Sequence, residues 1–175
     1  MVHSIPKYAR PEFERRFLLG DIPDLSDRRF RLIEDLYFDG TRLRLRKITS
    51  RDRDTQYKLC KKYPSEGDEP LAIVNIYLTA REHDLFSALP AKGLRKKRYD
   101  VIPSAFCIDV FEDHLAGLAL GELELQSAIA LETFILPPWV GRDVSRDPFF
   151  AGGNLASIDA GQLAAKLLSL QSLAC

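Results

Sequence analysis

Apolar and charged residues alternate with a period of two in Glu12–Phe17, Arg42–Ile48 and Leu120–Leu125, and charges fall in the same rhythm at Lys96-x-Arg98. A period of two is the period of a β-strand, whose successive side chains point to opposite faces. These segments therefore predict strands with one apolar face and one charged face. The acidic pairs, Glu12-x-Glu14 and Glu122-x-Glu124, stand on different strands from the basic series Arg42-x-Arg44-x-Arg46 and Lys96-x-Arg98. If the charged faces close around a common space, carboxylates suited to a metal ion meet cations suited to phosphate.

The same pattern places the other elements. Strands are predicted over Phe13–Leu19, Phe30–Phe38, Thr41–Ile48, Gln56–Lys62, Leu71–Leu78, Leu94–Ile102, Phe106–Phe111 and Leu120–Leu125. Asp39-Gly40 signals a hairpin between the second and third strands, with the return strand starting at Thr41. Pro103-Ser104 marks a second hairpin, and Tyr63–Pro70 reads as a loop. Thr79-x-x-Glu82 matches a capping box, followed by a helix that ends before Pro90. Ala128–Phe134 has a helical pattern stopped by Pro137-Pro138, and His114–Leu118 reads as a short helical turn. Trp139–Gly153 reads as irregular, and a last helix is expected within Asp159–Leu173. The fold class is α+β, mainly β, in a single domain spanning 1–175. About eight strands in a meander favour a barrel or a sandwich.

Composition adds exclusions. The 175 residues suffice for one core, and 46% hydrophobic with 29% charged residues is an ordinary globular balance. Lys+Arg and Asp+Glu are both 25, so bulk nucleic-acid binding is not expected. Cys60, Cys107 and Cys175 are sparse and odd in number, which is no disulfide framework. No leader-like segment and no apolar run of ~18 residues is found, so no membrane role is expected and the cytoplasm is the default. His3, His83 and His114 lack metal-ligand spacing. Taken one strand at a time, the charges have a plainer reading: a solvated sheet face on which Glu and Arg pair for about 0.2–1 kcal/mol each.

The segment Pro11–Leu19 (PEFERRFLL) resembles the opening ExExK signature of the CYTH domain, the triphosphate tunnel metalloenzyme family. Further resemblances follow in family order: Tyr37–Arg46 (YFDGTRLRLR), Leu94–Tyr99 (LRKKRY), Ile108–Glu112 (IDVFE), Leu115–Leu125 (LAGLALGELEL) and Pro137–Asp147 (PPWVGRDVSRD). Together they cover about 12–155. The resemblance implies an eight-stranded antiparallel barrel forming a tunnel with flanking helices, and Mg²⁺ or Mn²⁺ as cofactor. By position, Glu12, Glu14, Glu122 and Glu124 would be catalytic metal ligands, with Asp109 orienting neighbouring cations. Arg16, Arg42, Arg44, Lys96 and Arg98 would hold phosphates, with Lys58 and Lys62 on the strand that adds further cations. Arg15, Arg95 and Lys97, out of phase, should face outward.

Two departures matter. Arg16 replaces the motif's lysine, which keeps the charge and changes its geometry. Asn75 and Tyr77 stand on the central strand where active relatives commonly carry an acidic pair; as substrate-binding residues they can hydrogen-bond a phosphate oxygen, but neither supplies a carboxylate base. The partner implied is a phosphate-chain small molecule (triphosphate, polyphosphate or nucleotide), and a homodimer is left open. Three functions compete: metal-dependent hydrolysis of the chain, non-catalytic sensing of polyphosphate or nucleotide, and adenylate cyclisation.

Overall fold

The computed structural model describes residues 6–63, 71–102 and 104–172. Most of the predicted loop Tyr63–Pro70, Pro103 of the second hairpin, His3 and Cys175 lie outside the described residues. Among the described residues there are nine strands: β1 (Arg10–Leu18), β2 (Phe30–Phe38), β3 (Leu43–Ser50), β4 (Arg53–Tyr63), β5 (Leu71–Leu78), β6 (Ala91–Val101), β7 (Phe106–Phe111), β8 (Ala119–Leu125) and β9 (Arg142–Asp143). The first eight form a closed antiparallel barrel in the order β5-β4-β3-β2-β6-β7-β8-β1, which β1–β5 pairing completes. Among the described residues, that closure uses Arg10, Pro11 and Glu12 of β1, opposite Ile73, Ala72 and Leu71. Further along the same edge of β1, Phe17 and Leu18 pair with β9.

Ladder registers fix which residues face inward. Glu14 stands opposite Glu124 and Arg16 opposite Glu122. Asp35 stands opposite Arg46, Arg98 opposite Asp109, and Lys62 opposite Ile73. The alternation read from the sequence thus becomes a polar interior, while apolar residues of opposite parity line the outside.

The apolar material forms two cores. Outside the barrel, Phe17, Phe106, Ile108 and Leu123 pack against Leu131 and Phe134, from α2 (Ala128–Thr133) and the residue after it, and against Trp139. The Phe106 ring lies 5.2 Å from Trp139 and 5.7 Å from Phe134, both edge-on. Inside one end, Leu94, Phe111 and Leu120 meet Phe150, Leu155 and Leu163. The last three belong to a 3-10 turn (Pro148–Phe150), to α3 (Gly152–Leu155) and to α4 (Ala160–Ser172), so the chain's own C-terminal segment fills this end. The other end carries polar inner residues, among them Arg31, Asp100 and Glu124.

The remaining helix, α1 (Ala80–Ser87), has the expected capping box: the Thr79 side chain accepts from Glu82 N, and the Glu82 carboxylate accepts from Thr79 N at 2.7 Å. The short turn after β7 is 3-10 and covers Asp113–Leu115. Two expectations are corrected. Trp139–Gly153 is not uniformly irregular, because the free edge of β1 templates β9 and Arg16 N donates to Ser145 Oγ at 2.9 Å. Gly141 is needed in that approach, since a Cβ there would lie 1.9 Å from Leu18 O. The β2–β3 turn is also longer than the Asp39-Gly40 signal implies. Gly40 takes positive φ (67°), but residues 39–42 all lie outside the ladder and β3 starts at Leu43. The Thr41 hydroxyl donates to Phe38 O and accepts from Leu43 N, which stabilises the wider loop. Partners across the hairpin shift by two residues, so faces are preserved while pairings change.

Candidate functional site

The barrel interior is a network of ion pairs contributed by seven of its eight strands. On β1, Arg16 Nε donates to Glu14 Oε1 at 2.6 Å, its Nη1 donates to Phe150 O at 3.2 Å, and Glu122 lies 3.9 Å away. Burial opposes the Arg16 charge, but Glu14 and Glu122 hold its pKa above the ordinary arginine range. Glu12 pairs with Lys62 of β4 at 2.5 Å. On β6, Lys96 and Arg98 both donate to Asp109 of β7, the Arg98 fork in bidentate geometry: Nε donates to Oδ1 at 2.6 Å and Nη2 to Oδ2 at 2.5 Å. Arg98 also pairs with Glu122 of β8, and Lys96 lies 3.6 Å from it. Burial alone would raise the Glu122 pKa, yet Arg98, Lys96 and Arg16 hold it well below the usual carboxylate range.

A second cluster sits on β2 and β3. Asp35, fully buried, accepts two 2.6 Å bonds from Arg46 in bidentate geometry. Burial pushes its carboxyl up, and Arg46 and Arg44 outweigh this and bring it down to about 2. Burial and the neighbouring Asp35 push the pKa of the Tyr37 hydroxyl up to about 12, against the opposing charge of Arg44. The buried Arg44 Nε has no hydrogen-bond partner. An unpartnered guanidinium N–H in a pocket of this kind is a donor in place for an anion.

The predicted site residues fall into three groups. Glu12, Glu14, Arg16, Lys62, Lys96, Arg98, Asp109 and Glu122 join the ion-pair network, and Arg44 stands beside it. Glu124, Asn75, Lys58 and Tyr77 face the same way nearer the open end; Tyr77 is 69% exposed, and Lys58 Nζ lies 4.9 Å from the centre of its ring. Arg42 stands apart, exposed in the β2–β3 turn. Outward placement holds for the out-of-phase cations: Arg15 pairs with Asp143 at 2.7 Å, and Arg95 and Lys97 pair with Glu112 at 3.0 and 2.9 Å. Sequence reasoning missed Asp35, Tyr37 and Arg46 as site residues. Arg46 was visible as the third member of its arginine series; Asp35 is identified only once the hairpin register is known.

A hard divalent cation needs oxygen ligands. Glu14 and Glu124 are register partners, and Glu124 has a raised pKa, from partial burial and from the charges of Glu12, Glu14 and Glu122. This acidic corner fits such an ion in donor type. Among the described residues no three acidic, histidine or cysteine side chains already converge as a ligand set. Instead Glu12, Glu14 and Glu122 are held by Lys62, Arg16 and Arg98.

No family model matches the chain. A curated relative does: the inorganic triphosphatase of Nitrosomonas europaea is 32% identical over 152 residues, covering 83% of this chain and 96% of the relative. Among solved structures, the hypothetical protein NE1496 matches with a TM-score of 0.56 at 29% identity, over 85% of this chain and 99% of that one. The inorganic triphosphatase NE1496 matches with a TM-score of 0.55 at 26% identity, over 84% and 95%. Barrel topology, an inward-facing ion-pair network and near full-length kinship to a triphosphatase agree, and the chain belongs to the CYTH family of triphosphate tunnel metalloenzymes.

Proposed function

We propose that this protein hydrolyses a triphosphate, inorganic triphosphate or a compound bearing it, inside the barrel and with a divalent metal ion. The observation that carries the reading is the convergence of Arg16, Arg44, Arg46, Lys62, Lys96 and Arg98 on one interior, where Arg44 keeps a buried donor without a partner. The curated relative's name supports the same substrate class.

Binding comes first. The guanidinium forks of Arg44 and Arg98 suit bidentate contact with phosphate oxygens, and Lys62 and Lys96 act as point charges. Asp35 and Asp109 hold Arg46, Lys96 and Arg98 in position, so the cations are preorganised rather than recruited. Glu12, Glu14, Glu122 and Glu124 would hold Mg²⁺ or Mn²⁺. The ion would polarise a phosphoryl oxygen and lower the pKa of a bound water. Charge accumulating on the transferred phosphoryl group is met by the same arginines and lysines that bind the chain. The C-terminal segment closes one end against water, so reactants enter from the other.

A second reading is a phosphate-chain binder without useful turnover. It is favoured by β5, whose inner residues Asn75 and Tyr77 add no carboxylate. Incubation of the purified protein with inorganic triphosphate, ATP or polyphosphate, each with Mg²⁺ or Mn²⁺, separates the readings. Phosphate release supports hydrolysis. Tight binding without release selects the sensor, and cyclic AMP from ATP selects a cyclase.

A further inference from the structure

At the open end of the barrel, outside the ion-pair network, lies a cleft of about 1100 Å³ built from the strand ends of β2, β3, β4 and β6 and the segment before β2. Five arginines line it: Arg28, Arg29, Arg31, Arg51 and Arg53. Its acids are Asp27, Asp52 and Asp100, of which Asp52 pairs with Arg29 and Asp100 with Arg31. Arg51 and Arg53 form no salt bridge among the described residues, and Arg28 acts on Asp24 only at a distance. The Arg31 Nε is buried without a hydrogen-bond partner. The cleft therefore has more positive charge than it can satisfy internally, carried by the side chain that best recognises phosphate.

Its position relative to the barrel interior is fixed by register. Arg98, which anchors the inner network, stands opposite Arg31; Arg31 stands opposite Ser50, and Ser50 opposite Arg53. These are three successive strand steps at one level, about 14 Å in all. A polyanion leaving the interior past Arg98 meets Arg31 next and Arg53 after it.

We propose that this cleft is a second phosphate subsite, which holds the distal phosphates of a linear polyphosphate whose terminal phosphates occupy the barrel. The inference rests on the proposed function of the interior and extends it to chain length: the protein favours chains longer than triphosphate.

The test is a triple variant, Arg28→Gln, Arg51→Gln and Arg53→Gln. All three side chains are exposed and outside the ion-pair network, so the barrel should fold unchanged. Calorimetry would measure inorganic triphosphate, long-chain linear polyphosphate counted per chain, and a triphosphate-ended RNA oligonucleotide. Three exposed charge contacts amount to about a tenfold weakening. The variant should therefore bind polyphosphate about tenfold more weakly while triphosphate affinity stays within about twofold of wild type. Equal losses for both, or no loss for polyphosphate, overturn the subsite. Loss confined to the RNA oligonucleotide also overturns it, in favour of a phosphodiester backbone. A wild type that binds no triphosphate refutes the interior reading instead, and one that binds triphosphate but polyphosphate no better refutes only the subsite.

Discussion

The Asp35–Arg46 pair gives a direct measure of how the charged interior is held together. Asp35 has no exposed surface, and Arg46 is nearly as well buried. Replacing Asp35 with Asn keeps the shape but leaves the Arg46 and Arg44 guanidinium groups in a poorly solvated space without a counter-charge. Breaking a buried pair from one side costs about 3–5 kcal/mol. The pKa supplies an independent figure. A carboxyl brought from 3.8 to about 2 by its folded surroundings corresponds to roughly 2–3 kcal/mol favouring the charged form. The sign follows from a depressed folded-state pKa: this stabilisation is present above the unfolded value near 3.8 and is lost as pH falls towards 2.

Denaturant unfolding of wild type and Asp35→Asn at neutral pH should therefore differ by about 2–4 kcal/mol, and the gap should close as pH drops from about 4 to about 2. The loss should be partly reversed by ligand. Removing one negative charge makes the interior more attractive to a phosphate chain, so saturating inorganic triphosphate should raise the midpoint more in the variant than in wild type. Arg46→Met in the same background should recover part of the stability, because it removes the orphaned cation. A stability difference below about 1 kcal/mol, or one that does not shrink on acidification, would refute the assignment of this pair as a buried structural clamp.

Gly152→Ala would place a methyl group 2.0 Å from the Tyr37 hydroxyl oxygen, forcing α3 off the barrel end; a loss of about 1–3 kcal/mol is expected in thermal unfolding, only partly recovered by Tyr37→Phe because the ring Cζ still lies 2.8 Å away. Asn75→Glu with Tyr77→Glu should raise triphosphate turnover, measured as phosphate release, and a wild type already as fast as relatives carrying the acidic pair would show those acids to be dispensable. Glu122→Gln should weaken Mn²⁺ binding in calorimetry, and in wild type saturating sulfate, an oxyanion that competes for the interior cations, should tighten it; unchanged Mn²⁺ affinity in both experiments would remove Glu122 from the metal site.

The barrel was legible in the sequence because charge and apolarity keep strict parity over whole strands. Glu12, Glu14 and Arg16 share one phase on β1, and Lys96 and Arg98 share one on β6, so each strand reports its inner face by itself. What parity cannot report is which inner residue meets which. The Asp39-Gly40 signal suggested a tight turn, under which Asp35 would face Arg44. The loop over residues 39–42, stabilised by the Thr41 hydroxyl, moves the partner to Arg46 and leaves Arg42 outside the ladder. Nor could parity show β9 or the closure of the barrel end, because both are set by tertiary contact: two residues docking on the spare edge of β1, and Phe150, Leu155 and Leu163 filling the barrel end. The mouth arginines were hidden for a further reason. They lie on turns and strand ends, where no period exists to count.

The equality of basic and acidic residues in the whole chain has a physical counterpart in the interior. Each cation that would hold phosphate, Arg16, Lys62, Lys96 or Arg98, is already satisfied by a carboxylate that would hold metal. Buried charges left unpaired would cost several kcal/mol each, so mutual neutralisation is what allows so many to share one barrel. It also dictates how ligands enter. If a phosphate chain took Lys62 and Arg98 as proposed, it would release Glu12 and Glu122, and the released carboxylates would then need a cation. On the proposed function, substrate and metal would replace the internal pairs together, one serving the bases and the other the acids. Arg44 is the exception: its Nε has no partner to exchange, so on the same proposal it would meet an arriving phosphate without breaking an existing bond.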